Sequence, residues 1–193
     1  MAKPRLLVAC EFSGIVRDAF IAKGWDAWSC DIIPTERPGP HIVNDVRNVL
    51  DDGWDMMIAH PPCTYLTRSG QRTWYKNLPQ QRDAITFVDT LWNAPIPLIV
   101  IENPRGILSY KKPDGGRVWR AYDQIVQPWY FGETENKATC LWLRGVPPLM
   151  ATLIQTQRNS NVHNQAPSPE RAANRSRTFP GFALAMAEQW GRF

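Results

Sequence analysis

The chain has 193 residues, 44% of them hydrophobic and 21% charged, and its 22 basic and 18 acidic groups leave a net charge of 22 − 18 = +4. This composition gives chain enough for one globular domain with its own core and excludes a disordered or fibrous protein. No apolar run approaches the ~20 residues that cross a bilayer. The apolar stretch near the N-terminus is too short for a signal peptide, so one soluble, cytoplasmic domain over residues 1–193 is expected.

Residues 5–10 (RLLVAC) read as a short buried strand. A helix follows over residues 13–23, with Ser13 placed to cap it and Gly24 to end it. Residues 25–32 (WDAWSCDI) read as a second strand closing on Asp31, and residues 54–60 (WDMMIAH) as a third, stopped by Pro61 and Pro62. Helical periodicity covers residues 80–92, with Pro95 beyond its end. Residues 97–102 (PLIVIE) form a fourth buried strand stopped by Asn103 and Pro104. Residues 139–143 (TCLWL) form another strand, and residues 182–190 a terminal helix. Apolar strands alternating with helices predict an α/β fold, a mainly parallel sheet covered on both faces. Ligands in such folds sit beyond the carboxyl ends of the strands, where Glu11, Asp31, Asp45, His60 to Cys63, Glu102 and Asn103 all fall.

Four cysteines lie far apart with no C-x-x-C pair, which argues against a disulfide framework. His60 and Cys63 have ligand-like spacing, but no second pair accompanies them, so no metal is expected. Residues 151–193 carry five basic and two acidic groups, a bias that permits nucleic acid without requiring it.

Four segments carry candidate chemistry. Cys63 follows a buried strand and a rigid Pro-Pro step, which fixes its orientation as a nucleophile needs; a buried structural thiol is the plainer reading. Glu102 ends the next apolar strand, where burial would raise its pKa and make it a proton donor, or where it caps the following turn. The turn over residues 9–14 (ACEFSG) lets a ligand approach a helix N-terminus, and Asp31 beyond it suits ribose hydroxyls, so a nucleoside-bearing cofactor is implied. Residues 64–82 hold Arg68, Arg72, Lys76 and Arg82 with no acid, interleaved with Tyr65, Trp74 and Tyr75, as phosphate contact and base stacking require.

These segments, in this order, resemble the DNA (cytosine-5) methyltransferases, most of all the compact bacteriophage-type members. The strongest match is WDMMIAHPPCTYLTRSG, residues 54–70; the second is IVIENPRG, residues 99–106. Residues 7–14 followed by WSCDI, then Asn44-Asp45-Val46, KATCLWL at 137–143 and residues 168–182 are similar to further family motifs. The resemblance implies a Rossmann-like domain binding S-adenosyl-methionine through Glu11, Phe12, Ser13, Gly14, Asp31, Ile32, Asp45, Val46 and Pro61. It implies Cys63 as the nucleophile that adds to carbon 6 of a cytosine flipped out of DNA, and Glu102 as the proton donor to nitrogen 3. Arg68, Arg72, Lys137 and Thr139 would meet the nucleic acid. Protection from restriction is the biological role that such an enzyme implies.

The chain also departs from the family. Glu11 stands where glycine is usual, Thr64 replaces glutamine and Pro104 replaces valine. Lys137 and Thr139 occupy two positions that are usually arginine, which leaves Arg175 or Arg177 to compensate. Only residues 144–167 separate the last strand from the C-terminal motif, too few for a target-recognition domain. Loose specificity, or a protein partner that supplies it, is therefore expected. Three rival readings stay open: an amino-methyltransferase, a catalytically impaired DNA- or partner-binding protein on this fold, and the same chemistry on RNA, single-stranded DNA or a nucleotide.

Overall fold

The computed structural model describes residues 2–67, 76–112, 114–166, 168 and 170–192. Seven strands form one sheet: β1 (Arg5–Ala9), β2 (Asp26–Asp31), β3 (His41–Val43), β4 (Met56–Ala59), β5 (Leu98–Pro104), β6 (Gln124–Val126) and β7 (Thr139–Arg144). Their order is β3-β2-β1-β4-β5-β7-β6. The first five run parallel, while β7 is antiparallel to both β5 and β6. The expected α/β, Rossmann-like sheet is therefore present, with its topological switch between β1 and β4.

Alternation along the central strands explains the layers. Leu7, Ala9, Met57, Ala59, Ile99 and Ile101 face one core, shared with Val88, Leu91 and Trp92 of α2 (Leu78–Trp92). Leu6, Val8, Met56, Ile58 and Val100 face the other, shared with α1 (Ile15–Ile21) and α5 (Pro180–Trp190). Both faces are covered, so these strands read as unbroken apolar runs. Two short helices, α3 (Asn161–Asn164) and α4 (Arg171–Ser176), precede α5.

Several boundaries differ from expectation. Helix α1 is shorter than residues 13–23, and its N-cap is Gly14 in the left-handed region (φ 71°), not Ser13. Helix α2 starts two residues earlier, with Pro79 in its first turn where a missing N–H does no harm. Strands β3 and β6 were not expected: each has three residues and no periodicity to detect.

Arg17 of α1 is fully buried and reaches into the loop between β2 and β3. A Cβ on Gly14 would lie 2.4 Å from its guanidinium and one on Gly39 2.8 Å, so both positions need glycine. Described residues of the connection at 144–167 pair with the chain ahead of β7. They are zipped along residues 130–136 by Gly132 N–H to Leu153 O (2.8 Å) and Asn159 N–H to Thr134 O (2.8 Å). No helix among the described residues is long and apolar enough to cross a membrane.

Candidate active site

Parallel pairing of β4 with β5 matches Ala59 with Ile101, so the next residues, His60 and Glu102, emerge side by side at the carboxyl edge. Antiparallel β7 brings its first residue, Thr139, opposite Pro104, so Lys137 and Thr139 arrive at the same edge. One cleft results, lined by the turn after β1 (Cys10, Glu11, Phe12, Ser13), by His60 to Cys63, by Glu102 to Pro104, by Lys137 and by Arg175 to Thr178.

Two stitches fix the loop that carries Cys63. Asn103 Nδ2–H donates to Pro61 O at 2.8 Å, from a side chain that is almost wholly buried. Ile107 N–H donates to Leu66 O at 2.7 Å. A Cβ on Gly106 would lie 1.8 Å from Leu66 O, so this close approach of two backbones requires glycine. The glycine and asparagine of IENPRG thus hold the Cys63 loop against the end of β5.

Glu102 lies 3.0 Å from His60, Oε2 to Nδ1, with both side chains largely buried. Burial pushes its pKa up, but the His60 hydrogen bond, the charge of Lys137 and the Thr139 hydroxyl outweigh this and hold it below the ordinary value of 4.5. The expectation of a raised pKa is therefore corrected: polar partners, not apolar walls, surround this carboxylate. Because an ionised carboxylate only accepts, His60 Nδ1 carries the hydrogen. His60 Nε2 is buried and has no partner among the described residues.

Cys63 moves the other way. Burial, then the Glu102 charge, push its thiol above the ordinary 9.0, against the opposing pull of Lys137 and Arg175. Cys63 thus rests as a thiol beside a carboxylate. Lys137, expected to meet the nucleic acid, is a nearby cation, but its Nζ donates to Arg175 O at 2.8 Å and lies 5.7 Å from the Phe179 ring centroid. Thr139 is buried beneath Glu102, and its hydroxyl also lies 3.1 Å from Lys137 O. Arg177 pairs with Glu36 (Nε to Oε2, 2.8 Å), whereas the Arg175 guanidinium has no hydrogen bond or ion pair among the described residues.

The turn after β1 differs from expectation in one respect. Glu11 is buried and accepts from Val16 N–H (2.8 Å), Arg17 N–H (3.4 Å) and Ser13 Oγ–H (3.1 Å). Its carboxylate fills the N-terminus of α1, so that end of the helix is not open to a ligand. Asp31 closes β2 as expected; burial raises its pKa against the backbone N–H groups of Ile33 and Ile32 and the charge of His41. Asp31 and Asp45 both act on Cys10, which places the ends of β2 and β3 around the end of β1. Asp45 is engaged by Arg47, Oδ1 to Nε at 3.0 Å, and Val46 is buried beneath it. Ile32 exposes 75% of its surface. Arg68 and Arg72 lie outside the described residues.

No protein-family model and no curated protein matches the chain. Among solved structures it is similar to the Entamoeba histolytica methyltransferase EhMeth, with 14% identity and a TM-score of 0.49 over 87% of this chain and 61% of that one. It is also similar to a mutant of Spodoptera frugiperda DNMT2, with 14% identity and a TM-score of 0.39 over 82% of this chain and 56% of that one. The chain thus spans less than two thirds of the length of either protein.

His60 is the site residue that sequence reasoning did not assign. The signal was available: a histidine one step past an apolar strand, and a glutamate at the end of the next such strand.

Proposed function

We propose that this chain transfers a methyl group from S-adenosyl-methionine to carbon 5 of cytosine in DNA through a transient Cys63 adduct. The observation that carries this reading is the shared cleft. A thiol fixed by a Pro-Pro turn and a carboxylate held by His60 line the same wall, beside Arg175, whose guanidinium has no partner among the described residues. A nucleophile for carbon 6 and an acid–base group for the ring's nitrogen 3 must be adjacent, and here they are.

The protonation states suit that chemistry. As Sγ bonds to carbon 6, the thiol proton leaves and a ring electron pair moves to nitrogen 3, which takes a proton. Glu102, ionised at rest, receives the thiol's proton and presents it to nitrogen 3, so one proton only crosses the cleft. Carbon 5 thereby gains enamine character. S-adenosyl-methionine, when bound, supplies the electrophilic methyl group that carbon 5 takes. Loss of the carbon 5 hydrogen as a proton to solvent and cleavage of the Sγ–carbon bond restore the ring, as the nitrogen 3 proton returns through Glu102 to the departing Cys63 sulfur. Arg175 is the cation available to the ring oxygen or a flanking phosphate, in place of the arginines missing at 137 and 139.

The residues fit the cofactor's nucleoside end. Asp31 keeps lone pairs for ribose hydroxyls at the end of β2, and exposed Ile32 offers an apolar surface beside it. Phe12 would extend that surface, while Glu11 and Asp45 support the site's backbone through α1 and Arg47. Sequence specificity would come from residues 64–82 or from a protein partner.

The test expresses the protein and Cys63→Ala in a host without cytosine methylation, then quantifies modified nucleosides in DNA and RNA by mass spectrometry. The expected result is 5-methyl-deoxycytidine with the intact protein alone. A methylated ribonucleoside would move the substrate to RNA, a methylated amine would exclude the thiol mechanism, and no product together with no S-adenosyl-methionine binding would reject the enzyme reading.

A further inference from the structure

We propose that His60 is a positioning residue for Glu102: its Nδ1–H fixes one carboxylate oxygen so that the other turns toward the target ring. This rests on the function proposed above.

A buried structural histidine commonly ties two groups together, one at each ring nitrogen. Here Nδ1 meets Glu102 at 3.0 Å, while Nε2 is buried without a partner among the described residues. The ring's one resolved hydrogen bond is to the proposed acid–base residue. Pro61 and Pro62 hold the backbone that follows, and β4–β5 pairing puts the two side chains in register, so the contact is built into the fold.

The charged groups facing the pair define what it can do. Glu102 meets His60 from the β4 end, and Lys137 and Thr139 from the start of β7; Cys63 faces Glu102, Lys137 and Arg175. In this mechanism the proton arrives from Cys63 and must end on the ring. A carboxyl that bound it tightly would stop it halfway. By favouring the ionised form, His60 makes nitrogen 3 the better resting place, which increases the electrophilicity of carbon 6.

The test compares the wild type with His60→Leu and His60→Asn, whose amide can donate from near the Nδ1 position. The carboxyl carbon of Glu102 is titrated by NMR, and methyl transfer from labelled S-adenosyl-methionine to unmethylated bacterial genomic DNA is followed across pH. In His60→Leu the Glu102 titration is expected to move upward. kcat should fall about 10- to 100-fold, a share of the roughly 10²–10⁴ that a positioned acid contributes. KM for DNA should stay near its wild-type value, the acid limb of the rate profile should move to higher pH, and His60→Asn should recover part of the loss. An unmoved Glu102 titration overturns the inference, as does a kcat loss with an unshifted acid limb. If the wild type transfers no methyl group, the proposed function fails, while the NMR titration still decides whether His60 controls Glu102.

Discussion

Replacing Arg17 with methionine tests whether the loop between β2 and β3, which borders Asp31, is held from within. The stem keeps its packing and the guanidinium is lost. That group now donates to Asp18 Oδ1 (2.9 Å), Ser29 Oγ (3.1 Å), Arg37 O (3.2 Å), Pro38 O (3.3 Å), Thr35 Oγ1 (3.3 Å) and Pro40 O (3.5 Å). The two hydroxyls can turn to other partners, and Asp18, whose side chain is 36% exposed, can rehydrate. Three carbonyls remain. Those of Arg37 and Pro38 lie on exposed residues and can regain water if the loop moves. An acceptor left buried costs about 1–3 kcal/mol, and relief from burying a charge offsets part of that. The net loss is about 1–3 kcal/mol, or roughly 2–12 °C of melting temperature in a domain of this size. Thermal unfolding followed by circular dichroism gives the shift, and hydrogen exchange should show residues 33–40 losing protection first. A melting point within about 1 °C of the wild type would refute an internally held loop.

Glu102→Gln should slow methyl transfer by about 10²–10⁴ and leave S-adenosyl-methionine binding unchanged by calorimetry; near-full rate would remove the residue from the mechanism. The pH profile of kcat/KM should be a broad bell. With Glu102 held below 4.5 and Cys63 above 9.0, the form carrying one proton between them predominates across neutrality, and activity falls as the carboxylate gains a proton or the thiol loses one. A tenfold rise per unit between about pH 6 and pH 8 would instead show that a free thiolate must form before substrate binds. Arg175→Ala should raise KM for DNA and make binding less salt-dependent, with the fold intact; unchanged KM would take the arginine out of substrate contact.

The sheet was legible because its central strands are buried on both faces: Leu6 to Ala9 and Ile99 to Ile101 carry no polar residue to confuse the reading. Strands β3 and β6 were not, because three residues at a sheet margin take their conformation from the neighbour, as Ser29 N–H bonding to Pro40 O does at the start of β3. Cys63 and Glu102 could be nominated from their places at strand ends, and the structure lines one cleft with both. Their electrostatics could not be foreseen, since the Glu102 shift depends on His60 and Lys137, 42 residues before it and 35 after. The partners of Glu11 were hidden for a related reason: the sequence does not show that its carboxylate is the anion that meets the start of α1. Arg17, on an amphipathic helix, gave no sign of facing inward.

The cleft gathers residues from five stretches of chain, from Cys10 to Thr178. During synthesis the ribosome releases the Cys63 loop long before Lys137, and Arg175 last of all these groups. A nascent chain therefore carries the thiol without the cations that temper it. The cleft is complete only when the C-terminal stretch docks, so a chain interrupted before residue 175 lacks one wall of it.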